Sequence, residues 1–191
     1  MKICFATNNQ RKLDEVRQIL GDRFDLVSLK EAGFTGEIPE THETLEENSL
    51  EKAQYVYERI NMPVFSDDSG LEVEALDGKP GVHSAHYAGT RDALDNIVKV
   101  LRELGDTSNR KAQFRAVITF IYQDEPQQFE GIVTGKLTRT VHGEGGFGYD
   151  PIFIPNGYNQ TFAELSAKIK NSISHRKRSV EKLANYLKSI L

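Results

Sequence analysis

The sequence predicts an α/β fold built around a mixed sheet. Short apolar runs of strand type interleave with segments of helical periodicity. Two neighbouring strand-like stretches, about 112–122 and 129–138, read as an antiparallel pair inside that alternation. The length of 191 residues, 38% hydrophobic and 27% charged, suits one domain over 1–191, with room for two lobes.

Lys2-Ile3-Cys4-Phe5-Ala6-Thr7 opens as a buried strand. Asn8 or Asn9 then caps a helix carrying Leu13, Val16, Ile19 and Leu20, and Gly21 stops it. Residues 25–29 form a second strand, and the glycines and proline of 30–41 mark a loop. Thr44-x-x-Glu47 is a capping box for a helix reaching about Ile60, with Leu45, Ser49, Ala53, Val56 and Ile60 on one stripe. Val64-Phe65-Ser66 is a short strand ended by Asp67-Asp68-Ser69-Gly70, and 71–76 alternates as another. Residues 77–89 form a turn-rich loop, after which Thr90 caps a helix with Leu94, Ile97, Val98, Leu101 and Leu104. The antiparallel pair is joined by Gln-Asp-Glu-Pro-Gln-Gln. A glycine cluster at 143–148 precedes the apolar Ile152-Phe153-Ile154, and a last helix runs from about Ser174 to the end with Val180, Leu183, Leu187 and Ile190 inward.

Composition narrows the function classes. Net charge is −4 and pI about 5.8, which argues against binding nucleic acid through overall charge. No apolar run approaches the ~18 residues of a membrane span, and no charged-then-apolar leader opens the sequence. A single cysteine, Cys4, excludes an internal disulfide framework and fits the reducing cytoplasm. The expectation is a cytoplasmic protein without membrane or nucleic-acid partners.

Three polar clusters fall at strand ends, where α/β sheets bind ligands. Thr7-Asn8-Asn9-Gln10-Arg11-Lys12 lies between strand and helix, an anion site without P-loop glycine spacing; alone it reads more readily as a plain helix cap with solvated basic residues. The second cluster is acidic, with Glu40, Glu43, Glu46, Glu47, Asp67 and Asp68. Alternation along a strand sends Asp67 and Asp68 in opposite directions, so one of them faces a site. Hard oxygens on separate elements suit Mg²⁺ carried with phosphates; Lys52 falls at the edge of its helix stripe, where it either snorkels outward along its stem or brings a positive charge to that cluster. Glu43, Glu46 and Glu47 read as helix-start decoration. The third cluster, Gly143 to Asp150, matches G-x-G-x-x-G but precedes a strand, so the dinucleotide fingerprint fails. The cluster reads as a mobile loop, and its glycines beside Phe147 and Tyr149 would also suit close approach of a flat base. Lys170 to Arg176 adds donors at a helix mouth. His83 and His86 lack further ligands at zinc spacing.

Taken together these segments resemble one family over nearly the whole chain, the inosine triphosphate (non-canonical purine nucleoside triphosphate) pyrophosphatases. The motifs are Phe5-Ala6-Thr7-Asn8-Asn9 with Lys12 and Glu15; Glu47-Asn48 with Lys52-Ala53; and Ser66-Asp67-Asp68-Ser69-Gly70-Leu71. They continue through Gly78-x-Pro80-Gly81-Val82-x-Ser84-Ala85, Gly146-Phe147-Gly148-Tyr149-Asp150-Pro151 and Ser174-His175-Arg176. The resemblance implies an elongated, twisted mixed sheet flanked by helices, two lobes with a nucleotide cleft between them, and a homodimer. It also implies Mg²⁺-dependent hydrolysis of ITP, dITP and XTP to the monophosphate and pyrophosphate. By position, Thr7, Asn8, Asn9, Gln10, Arg11, Lys12 and Lys52 hold phosphates, and Glu40 and Asp68 hold the metal. Asp68 also accepts the proton of water. Ser69, Phe147, Gly148, Tyr149, Asp150, Lys170, His175 and Arg176 contact the nucleotide, the last two as donors to O6 of a 6-keto purine. Asn8 and His86 depart from residues common in that family, Gly and Arg respectively. A nucleotide sensor without hydrolysis and a dinucleotide-dependent oxidoreductase are the competing classes. The intact Asp68, Glu40 and Lys52 set disfavours the first, and the glycine context disfavours the second.

Overall fold

A computed structural model describes residues 1–21 and 24–190. Its elements are β1 (Lys2–Phe5), α1 (Gln10–Leu20), β2 (Asp25–Ser28), α2 (Leu45–Ile60), β3 (Val64–Val73), α3 (Ala93–Leu104), β4 (Lys111–Tyr122), β5 (Glu125–Leu137), β6 (Phe153–Pro155), α4 (Ala167–Ile173) and α5 (His175–Ile190). The strands form one mixed sheet in the order β2-β1-β3-β4-β5-β6. β1 pairs parallel with β2 and β3, and β5 antiparallel with β6. This is the expected α/β architecture.

Contacts gather into two compact units, Met1–Asp68 with Ala116–Gly131 and Arg176–Leu191, and Ser69–Arg115 with Ile132–His175. The first unit buries the apolar stripe of α1 (Leu13, Val16, Leu20) and that of α5 (Val180, Leu183, Leu187). Both pack on Ile3, Phe5, Phe65, Ile118 and Phe120. Phe5 and Phe65 stack at 4.5 Å across the β1–β3 pairing. A second cluster of this unit sets Cys4, Val27, Val56 and Val64 together; burial pushes the Cys4 thiol up to about 12, so it is an inert core residue. The other unit centres on Ile97, Val100, Leu104, Phe114, Phe153 and Phe162.

Helix starts follow the sequence closely. Asn9 accepts the Arg11 and Lys12 N–H groups, Thr44 accepts that of Glu47, and Gly21 ends α1 at φ 58°. The structure corrects four expectations. Asp67-Asp68-Ser69-Gly70, turn-like in composition, lies inside a single ten-residue strand. Gly70 is needed there because a Cβ would come within 2.2 Å of the Gly81 carbonyl oxygen. Residues 74–76 form a 3₁₀ turn instead of strand. α3 is capped by Asp92, while the Thr90 hydroxyl donates to Asp95; Leu94 and Val98 face outward. The β4–β5 hairpin turns tightly at Gln123-Asp124, both at positive φ as a type I′ turn requires, so Pro126 falls in β5. The sequence also missed α4, whose buried residue is Lys170, so no apolar periodicity announces it.

Candidate functional site

In the first unit, two sets of charged side chains leave β3 at Asp67 and Asp68, as strand alternation requires. Asp67 points to α1 and α5. Its Oδ1 accepts from Lys12 Nζ at 3.0 Å and its Oδ2 from Arg176 Nε at 3.2 Å. Arg176 also donates to Glu15, and this guanidinium is only 1% exposed. Burial works against ionising Asp67, yet the charges of Lys12 and Arg176 hold its carboxyl well below the usual range. For Arg176, Asp67 and Glu15 outweigh burial and strengthen the cation. Lys12 shares a carboxylate that Arg176 already neutralises, so burial prevails there and its pKa falls.

Asp68 points instead to α2. Lys52 Nζ donates to Asp68 Oδ1 at 2.9 Å and to Glu40 Oε1 at 2.5 Å. Burial raises the Asp68 pKa, and the attraction of Lys52 and Lys12 only partly opposes it. Lys52, nearly buried, has two carboxylates; they outweigh desolvation and raise its pKa. For Glu40 the Lys52 charge overcomes burial and lowers it. Asp68 Oδ2 is buried without a hydrogen-bond partner. An acceptor left in that state costs about 1–3 kcal/mol, and one ligand bond from a cation would satisfy it. Glu40 and Asp68 therefore fit a hard divalent ion such as Mg²⁺, which takes one or two carboxylates and completes its shell with water and phosphate.

The start of α1 is internally capped. The N–H groups of Arg11 and Lys12 go to Asn9 Oδ1 at 3.0 and 3.3 Å, and Thr7 Oγ1 accepts from the Asn9 N–H. Asn8, Gln10 and Arg11 are exposed, with Gln10 donating to Asp14.

In the second unit, the glycine cluster is tied by one carboxylate. Asp150 Oδ2 accepts the Phe147 N–H at 2.8 Å and Lys170 Nζ at 2.7 Å. Gly146 is required beside it, since a Cβ would meet that oxygen at 2.1 Å. The Lys170 ammonium lies 4.5 Å from the Phe147 ring centroid. His175 stacks on Phe114 with centroids 5.0 Å apart. Ser69 is half-buried at this unit's first position, and Gly148 turns the chain at φ 59°.

Three residues of the expected nucleotide set are engaged by other protein groups. The Arg176 guanidinium, expected as a donor to the base, is bound to two carboxylates. Tyr149, expected beside a base, is a core residue whose hydroxyl donates to the Ser84 carbonyl at 2.9 Å. The Asp150 carboxylate is turned toward Lys170 and the Phe147 amide. Sequence reasoning assigned no role to Glu15 or Asp67; the signal was a glutamate between Leu13 and Val16 on an otherwise apolar stripe.

The class of protein follows from this fold and from its comparison with known families. Residues 3–186 match the Ham1 family model, and the chain belongs to the Ham1 family. It is 48% identical over 188 residues to a dITP/XTP pyrophosphatase of Porphyromonas gingivalis, covering 97% of both chains. It is 46% identical to one of Bacillus subtilis, covering 96% of both. The solved structure of the Staphylococcus aureus Ham1 protein superposes with a TM-score of 0.91 at 38% identity, covering 100% of both chains. A HAM1 protein from Coxiella burnetii gives 0.91 at 36% identity, covering 99% of both. No helix among the described residues is long and apolar enough to cross a membrane.

Proposed function

We propose that the chain hydrolyses non-canonical purine nucleoside triphosphates, dITP, ITP and XTP, to the monophosphate and pyrophosphate, and so clears them from the pool used for DNA and RNA. The observation that carries this reading is Asp68. Its carboxylate has one oxygen on Lys52 and one buried oxygen free of hydrogen bonds.

Water attacks the α-phosphorus, the α–β bridging bond breaks, and pyrophosphate leaves with the bond's electron pair. Asp68 accepts the proton of the attacking water. Lys52 and Lys12 offset the charge spreading over the phosphate oxygens, each leaving a carboxylate partner to do so. Thr7 to Arg11 supply polar groups at the positive end of α1. Glu40 and Asp68 would hold Mg²⁺, which when bound neutralises phosphate charge and orients the leaving group. In the second unit, Lys170 and His175 supply donors suited to a 6-keto purine, which presents an acceptor where adenine presents an amino group. A homodimer is part of the same reading.

Product analysis tests it. Incubation with Mg²⁺ and dITP should yield dIMP and pyrophosphate in equal amounts, and excess EDTA should stop the reaction. Appearance of dIDP and orthophosphate would assign γ-phosphate hydrolysis instead.

A further inference from the structure

Glu40 sits outside regular structure, between a proline and a stretch without periodicity, yet it must present its carboxylate accurately. The structure shows what holds it. Three consecutive residues, Glu40, Thr41 and His42, are each gripped by one residue of α2. Lys52 takes the Glu40 carboxylate. Glu51 takes Thr41 twice, accepting its N–H at 2.8 Å and its hydroxyl at 2.8 Å. Asn48 takes the peptide groups of His42 twice, accepting its N–H at 2.9 Å and donating to its carbonyl at 3.0 Å. Asn48 is 4% exposed, and Thr44, four residues earlier, caps the same helix.

The three grips are not equivalent. The Lys52–Glu40 contact joins two groups that the proposed reaction needs elsewhere, the lysine at phosphate and the carboxylate at metal. When that contact opens, nothing of Lys52 restrains the segment. The Asn48 and Glu51 bonds involve no reacting group.

We propose that Asn48 and Glu51 are positioning residues that keep Glu40 at the metal position while Lys52 is released to substrate. This inference rests on the pyrophosphatase reading given above. Supporting residues of this kind typically change metal affinity by about 10–100-fold when removed.

The test uses the full chain in wild-type, Asn48→Ala, Glu51→Ala and Glu51→Gln forms. Glutamine retains the clamp because its carbonyl accepts the Thr41 N–H while its amide donates to the Thr41 hydroxyl oxygen. Two quantities are read. One is amide hydrogen exchange of the 40–43 segment without metal or nucleotide. The other is the Mg²⁺ concentration for half-maximal dITP hydrolysis. Asn48→Ala and Glu51→Ala should speed exchange in that segment and raise the Mg²⁺ requirement about 10-fold, with kcat recovered at saturating Mg²⁺. Glu51→Gln should stay close to wild type in both. Faster exchange with an unchanged Mg²⁺ requirement would overturn the positioning role, and unchanged exchange in both alanine variants would overturn the clamp itself. A wild-type chain that releases no pyrophosphate would instead defeat the underlying reading, leaving the exchange result to stand as structure.

Discussion

Asp67 and Asp68 leave β3 on opposite faces, and the helices that receive them treat them differently. Asp67 meets two cations, one of them the buried Arg176, and its carboxylate is fully engaged. Asp68 meets one cation shared with Glu40 and keeps a buried oxygen without a partner. The two pKa values move in opposite directions as a result. A saturated carboxylate fastens helices to a sheet, whereas an unsaturated one is available to a ligand. This division between holding and reacting is open to several tests.

The largest effect short of Asp68 itself belongs to Lys52, the only bridge between Glu40 and Asp68 in the described contacts. Lys52→Gln should lower kcat for dITP about 10²- to 10³-fold, as loss of one donor to a developing anion does. Steady-state kinetics at saturating nucleotide reads this directly, and a change confined to KM would move Lys52 out of the reacting set.

Asp67→Asn tests the other face. Removing one member of a buried ion pair costs about 3–5 kcal/mol, so the expected loss is in melting temperature more than in kcat. The pH dependence has a definite sign. The folded pKa of Asp67 is depressed, so its stabilisation is complete above the unfolded value of about 3.9 and disappears as pH falls through the folded value. The melting-temperature gap between wild type and Asp67→Asn should therefore be full at pH 6 and shrink in acid below about pH 4. A gap that widened in acid would contradict the ion-pair account.

Arg176→Lys gives the smallest of these effects and sharpens the comparison most. A lysine cannot bridge Asp67 and Glu15 with the planar geometry of a guanidinium. Rates for ITP and ATP should fall together, by roughly tenfold if Lys12 is displaced by the equivalent of one charged hydrogen bond. A fall confined to ITP would return Arg176 to base recognition.

Much of this was legible in the sequence where local chemistry decides the outcome. Asn9 and Thr44 cap helices because a short polar side chain precedes an apolar stripe, and Asp67 and Asp68 diverge because strands alternate. The misreadings occur where a distant partner decides. Asp67 to Gly70 are turn-forming residues by composition, but Lys12, Arg176 and Lys52 lie 16 to 109 positions away and satisfy the carboxylates within a strand. Lys170 faces inward on α4 because Asp150 meets it there. The bond of Arg176 to Glu15 was not legible because Glu15 stands 161 residues earlier. The clamp on Glu40 was invisible for a related reason: three of its four bonds use backbone groups of Thr41 and His42, which no residue type advertises.

The most direct test of the division between the two carboxylates is Asp68→Asn, with turnover and melting temperature measured on the same preparation. Pyrophosphate release from dITP should fall about 10²- to 10⁴-fold, the range for loss of a general base. The melting temperature at neutral pH should fall less than in Asp67→Asn, because burial opposes the Asp68 charge and Lys52 keeps its bond to Glu40. Near wild-type turnover in a folded Asp68→Asn protein, or a loss of turnover in folded Asp67→Asn as complete as in Asp68→Asn, would contradict it.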